Sequence, residues 1–92
     1  MERYNTRKID DCGRIILHHD IRKKLGLEEG SRVSLTMVDT ILVLQPDPSG
    51  SCEINALGLV TIPDNMCKQM SWSEESAIAF YQTDSLVILK SA

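Results

Sequence analysis

Five basic side chains in the first quarter of the chain, Arg7, Lys8, Arg14, Arg22 and Lys23, are of the types that hold nucleic acid. A guanidinium fork suits phosphate oxygens and the edge of guanine, and lysine neutralises backbone charge. The competing assignment is a solvated face paired to Asp10, Asp11 and Asp20. Composition alone favours the solvated face.

Other chemistry is harder to find. His18, His19, Asp20 and Cys12 are ligand types, but adjacent histidines point in different directions and no second pair has ligand spacing, so no metal site is expected. The chain has no nucleophile elbow, glycine-rich phosphate loop or paired-carboxylate motif, so it reads as non-enzymatic, with no cofactor and no small-molecule substrate. The three cysteines, Cys12, Cys52 and Cys67, lack CxxC or CxxH spacing and read as free thiols in a reducing compartment. No apolar run approaches the roughly 20 residues that span a bilayer, and the start of the chain is polar. A cytoplasmic protein without membrane contact is expected.

The frame that must position the basic residues is written twice. Lys8 to Gln45 lies without a gap over Glu53 to Lys90, pairing Ile9 with Ile54, Gly13 with Gly58, Lys23 with Lys68 and Asp39 with Asp84. Ile15, Leu17, Ile21, Leu25, Leu27, Val33 and Leu35 fall on Val60, Ile62, Met66, Met70, Trp72, Ile78 and Phe80. A repeat of its apolar pattern is structural in kind. Half of a 92-residue chain is near the size that cannot build its own core, so both copies are expected to share one. The expected organisation is a single pseudo-symmetric domain: repeat one over 3–45, a linker over 46–51 and repeat two over 52–90.

Each copy reads strand, strand, short helix, strand, strand. In the first, Tyr4 to Ile9 runs into the turn Asp10-Asp11-Cys12-Gly13, and Arg14 to Leu17 is short and β-branched. Ile21 to Leu25 has apolar residues four apart, and Gly26 with Leu27 suits a Schellman ending. Arg32 to Met37 alternates, Asp39-Thr40 is a tight turn, and Ile41 to Leu44 closes a hairpin. Pro46 to Ser51 has linker composition, is not expected inside a sheet and reaches at most ~20 Å. The second copy runs Cys52–Asn55, Leu59–Ile62, a helix opened by Pro63, then Ala77–Gln82 and Leu86–Leu89. Met66, Met70 and Trp72 read as core.

Charge divides the copies. The total is −3, but residues 1–46 hold eight Lys and Arg against seven Asp and Glu, while residues 47–92 hold two against six.

Arg7-Lys8-Ile9-Asp10, Gly13-Arg14-Ile15-Ile16-Leu17 and Ile21-Arg22-Lys23-Lys24-Leu25-Gly26-Leu27 together resemble the AbrB/MazE/SpoVT family of bacterial DNA-binding domains. The resemblance covers repeat one and, more faintly, repeat two. It implies a mostly β fold with two short helices, a swapped-hairpin AbrB-like barrel in which two fused β-β-α-β-β repeats form an intrachain pseudo-dimer. It implies a transcriptional regulator that contacts double-stranded DNA through Arg7, Lys8, Arg14, Arg22 and Lys23; because only one basic surface is then present per chain, chains are expected to pair as homodimers on a two-fold site. The chain departs from the family pattern at His18, where proline is usual and where repeat two has Pro63. At the positions of Arg7, Lys8, Arg14 and Arg22, repeat two carries Cys52, Glu53, Leu59 and Cys67, keeping only Lys68. Repeat two is therefore expected to be structural. Asp10 and Arg14 also reproduce a spacing of the related MraZ proteins, but Asn55 and Leu59 break it in the second copy. The reading from another class is a protein-interaction module, antitoxin-like or scaffold, that keeps the fold without DNA binding.

Overall fold

The computed structural model describes residues 2–92. The elements are β1 (Glu2–Lys8), β2 (Arg14–Ile16), α1 (His19–Leu25), β3 (Arg32–Val38), β4 (Ile41–Pro46), β5 (Cys52–Glu53), β6 (Leu59–Thr61), α2 (Asp64–Met70), β7 (Ala77–Gln82) and β8 (Val87–Ser91). Six strands form one antiparallel sheet in the order β1-β7-β8-β4-β3-β5, and β2 and β6 form a separate two-stranded ribbon. The molecule is mostly β with two seven-residue helices.

The expected barrel is not found. β1 and β5 are the two edges of an open sheet, and no ladder joins them among the described residues. The chain leaves β1 through the turn at Asp10–Gly13 and puts its next extended residues into the β2–β6 ribbon, so the backbone groups that could have closed the sheet pair with each other instead. Pro46 also departs from expectation. It is the last residue of β4, opposite Val33, where a strand end tolerates a residue with no amide donor.

Ladders connect positions from the two halves of the chain in related registers. In the ribbon Ile15 faces Val60, flanked by Arg14↔Thr61 and Ile16↔Leu59. In the sheet β4 meets β8 through Leu42↔Leu89 and Leu44↔Val87. At the edges, Arg7↔Ile78 and Lys8↔Ala77 join β1 to β7, while Val33↔Cys52 and Arg32↔Glu53 join β3 to β5. Residues that face one another on an antiparallel ladder share a face, so these registers put the apolar series from both halves on one side.

That side is the core. Ile9, Ile15, Leu17, Ile21, Leu27, Val33, Leu42 and Leu44 pack with Ile54, Val60, Ile62, Trp72, Ile78, Phe80, Val87 and Leu89 as one cluster, against which Leu25, Leu35, Met66 and Met70 are partly buried. Among the described residues Gln82 is the buried polar one: its amide donates to the Ile21 carbonyl at 3.3 Å and its Oε1 accepts from the Tyr4 hydroxyl at 2.8 Å. Buried polar groups persist when both donor and acceptor capacity are used.

The helices begin and end alike. His18 before α1 has φ −54 and ψ 142, and Pro63 before α2 has φ −54 and ψ 143. After α1, Gly26 turns left-handed at φ 69, and the Leu27 amide donates to the Arg22 carbonyl at 2.8 Å. After α2, Ser71 takes the same conformation at φ 59, and Trp72 donates to the Cys67 carbonyl at 2.8 Å. No helix is long and apolar enough to cross a membrane.

Candidate nucleic-acid interface

Arg7 and Lys8 end β1, an edge strand whose register shifts between Tyr4 and Arg7. Such a bulge re-aims the side chains that follow it. Both residues are exposed. Lys8 Nζ lies 3.3 Å from Glu75 Oε2, whereas Arg7 makes no ion pair among the described residues. Arg7 is near enough to His18 to oppose its protonation.

The turn after β1 is built around Asp10. One carboxylate oxygen accepts from the Cys12 amide at 2.9 Å and the Arg14 amide at 2.7 Å, and the other from Arg14 Nε at 2.7 Å. This satisfies the turn's donors locally, as Asp side chains do. The Arg14 backbone amide is the first cause that holds the Asp10 carboxyl below its ordinary range, with the guanidinium adding to it. The side-chain bond from Arg14 to Asp10 in turn raises the Arg14 guanidinium. The Arg14 side chain is nevertheless 46% exposed, so its fork is fixed at one nitrogen and open at the others. In the second half, Asn55 Oδ1 accepts from the amides of Leu57 (2.9 Å) and Leu59 (3.0 Å), which keeps the turn while Leu59 supplies no cation.

Arg22 and Lys23 leave α1 in different directions. Lys23 is exposed and without an ion pair among the described residues. Arg22 is half-buried: Nε donates to the Leu17 carbonyl at 3.0 Å and its fork lies over Gly58, where an added Cβ would stand 2.7 Å from Cζ. The fold thus gathers Arg7, Lys8 and Arg14 along one continuous strand–turn–strand and sets Lys23 apart on the helix. Arg22 is drawn down onto the ribbon. Lys24 pairs with Glu2 at 3.6 Å, and Arg32 with Glu53 at 3.7 Å and the Gly50 carbonyl at 2.7 Å.

Two features were not read from the sequence. Arg3 lies 5.7 Å from the ring centre of Tyr81, as does Lys90, giving a cationic and aromatic group on the outer sheet face. The alternation of Glu2, Tyr4 and the bulge could have pointed to Arg3, but Lys90 joins it only through the β7–β8 register. Secondly, Asp10, Asp11 and Cys12 bring one ligand-type atom each within 4.8 Å of one another, although the Asp10 oxygens are already used by the turn.

Comparison with protein-family models, curated proteins and solved structures returns no match.

Proposed function

We propose that the chain is a DNA-binding transcriptional regulator of AbrB type, a fused pseudo-dimer whose basic first half meets the duplex. The observation that carries this reading is Arg14. Its Nε is bonded to Asp10 at 2.7 Å while the side chain stays 46% exposed, so an oriented guanidinium is offered to solvent at little further entropic cost. Arg7 and Lys8, on the strand that leads into this turn, and Lys23, apart on α1, are exposed cations able to neutralise phosphate. Arg22, half-buried against the Leu17 carbonyl and Gly58, has the smaller part in this reading. The paired registers of the two halves support two interleaved copies in one chain, and buried Cys52 and Cys67 in place of Arg7 and Arg22 support a second half given over to packing.

With one basic surface per chain, chains pair so that two surfaces face a two-fold site. Sedimentation at the concentration of tight binding tests this, a strict monomer being the adverse result.

The primary test is a salt-titrated binding assay against a genomic DNA pool. Four phosphate contacts give a log–log slope of about −3.6, so a fourfold rise in salt weakens binding roughly 150-fold. No retention at low salt favours the second reading, a protein-interaction module. The net charge of −3, concentrated as six acids against two bases in residues 47–92, is the observation on that side. An MraZ-like regulator would bind the same pool but require the Asp10–Arg14 pair in both halves, and the second has Asn55 and Leu59.

A further inference from the structure

We propose that a cleft beside α2 binds a guanidinium cation, at the place corresponding to the one that the chain's own Arg22 fills beside α1. The inference rests on the correspondence of the two halves and goes beyond DNA binding. On the first side, Arg22 Nε donates to the Leu17 carbonyl at 3.0 Å and the fork covers Gly58. At the forty-five-residue offset, the counterparts of Arg22, Leu17 and Gly58 are Cys67, Ile62 and Gly13. The local backbone matches: Leu17 N donates to Gly58 O at 3.0 Å, and Ile62 N to Gly13 O at 2.8 Å. Gly13 and Gly58 both have φ +79.

The side chain does not match. Cysteine ends at its γ atom, where arginine runs on to a planar fork. The Cys67 thiol reaches the Ile62 carbonyl only at 3.7 Å, a weak substitute for the Arg22 bond. What remains is a half-open cleft of about 560 Å³ over Gly13 and Ile62. That volume lies in the range of small-molecule sites.

Its lining fits a cation. Asp10, Asp11, Asp64 and Glu74 border it, and no lysine, arginine or histidine does. Asp10 is engaged by Arg14 and Asp64 by Lys68 at 3.1 Å, whereas Asp11 and Glu74 make no ion pair among the described residues. Trp72 also lines the cleft, its indole nitrogen donating to Ser91 Oγ at 2.9 Å. An indole is the best aromatic surface for a guanidinium, and the Ile62 carbonyl with flanking carboxylates suits its array of donors. An ammonium lacks the planar fork that would lie on Gly13. The guanidinium can come from a free small molecule or from an arginine side chain in a peptide.

The test titrates the whole protein with agmatine and with capped Gly-Arg-Gly, against cadaverine and capped Gly-Lys-Gly. Trp72, the single tryptophan, gives a fluorescence signal, and amide shifts in nitrogen-15 spectra locate the site. Saturable binding of agmatine, the arginine peptide or both, with shifts centred on Gly13 and Ile62, is the expected result, and which probe binds identifies the source. Glu74→Gln should weaken it about tenfold, the effect of one charge-assisted hydrogen bond. Cys67→Arg should occupy the cleft from within and abolish binding while keeping the folded spectrum. If that variant does not fold, Asp11→Asn combined with Glu74→Gln decides, with loss of binding expected. No saturable shift with either guanidinium probe, equal binding of the lysine probes, or undiminished binding by folded Cys67→Arg overturns the proposal. DNA binding measured alongside separates this site from the proposed function, since either can fail alone.

Discussion

The Arg22 guanidinium lies over Gly58, a residue 36 positions away in the sequence, so close that a Cβ there would stand 2.7 Å from Cζ and 2.9 Å from Nε. The contact joins α1 to the turn that opens β6. Gly58 also has φ +79, which costs a side-chain-bearing residue about 1–2 kcal/mol. Gly58→Ala should therefore destabilise the fold by roughly 1–2 kcal/mol in urea denaturation and release the Arg22 fork from the Leu17 carbonyl. An unchanged midpoint together with an unchanged Arg22 side-chain spectrum would show that the packing is not a constraint.

Such a contact marks the limit of what the sequence discloses. The strand–strand–helix–strand–strand order, Gly26 as a left-handed cap and the apolar set from Ile15 to Phe80 follow from period and turn chemistry, which are local properties. The sheet order β1-β7-β8-β4-β3-β5 depends on pairings between distant strands, and the open edges at β1 and β5 depend on what the ribbon takes from them. The same holds at the basic surface. Arg14 and Asp10, four apart around a turn, could be paired from the sequence, but Arg22 reads there as one more surface cation, because Gly58 is brought beneath it only by folding. Gln82 looks like an ordinary strand residue until Tyr4 and the Ile21 carbonyl meet it in the core.

The proposed functional asymmetry between halves is tested by one substitution in each half, at a cation of the first and at the one cation position that the second keeps. Arg14→Ala removes the oriented fork and should weaken DNA binding tenfold or more, roughly the effect of one good bidentate contact. Lys68, paired to Asp64 within exposed α2, should tolerate Lys68→Ala with less than about a twofold change. Filter binding or fluorescence anisotropy at fixed salt reads both. Equal losses would place the second half on the duplex as well.

Ser71 offers a stabilising change. It ends α2 in the left-handed region at φ 59, the conformation Gly26 adopts after α1 at φ 69. Serine pays a steric cost there that glycine avoids, partly offset by the entropy glycine loses on folding. Ser71→Gly should add about 0.5–1 kcal/mol, which for a domain of this size raises Tm by roughly 3–6 °C. A lowered Tm in calorimetry would mean that the serine side chain contributes something the backbone argument omits.

His18 links stability to pH. Its ring sits 5.3 Å from Tyr4 and 5.0 Å from Phe80, centre to centre. Burial, and secondarily the Arg7 charge, lower its pKa below the ordinary 6.5, with the Asn5 backbone and Asp20 acting the other way. A histidine with a depressed folded pKa is neutral in the native state, so the unfolded chain binds the proton more readily. Its contribution to stability is complete above the unfolded value and declines as pH falls through 6.5 toward the folded one. His18→Pro should remove that decline. Pro63 holds the same backbone angles before α2, and its carbonyl accepts the Cys67 amide at 3.0 Å as that of His18 accepts the Arg22 amide at 3.0 Å, so the helix start should survive. Urea midpoints at about pH 7.5 and 5.5 should therefore separate for the parent and converge for His18→Pro. Near pH 7.5 the two proteins should differ little, since the ring packing lost, about 0.5–1.5 kcal/mol, is offset by the reduced freedom of the unfolded proline chain, about 0.4–1 kcal/mol. A parent midpoint that does not move over this interval, or a variant that keeps the full pH dependence, would assign the effect to another group.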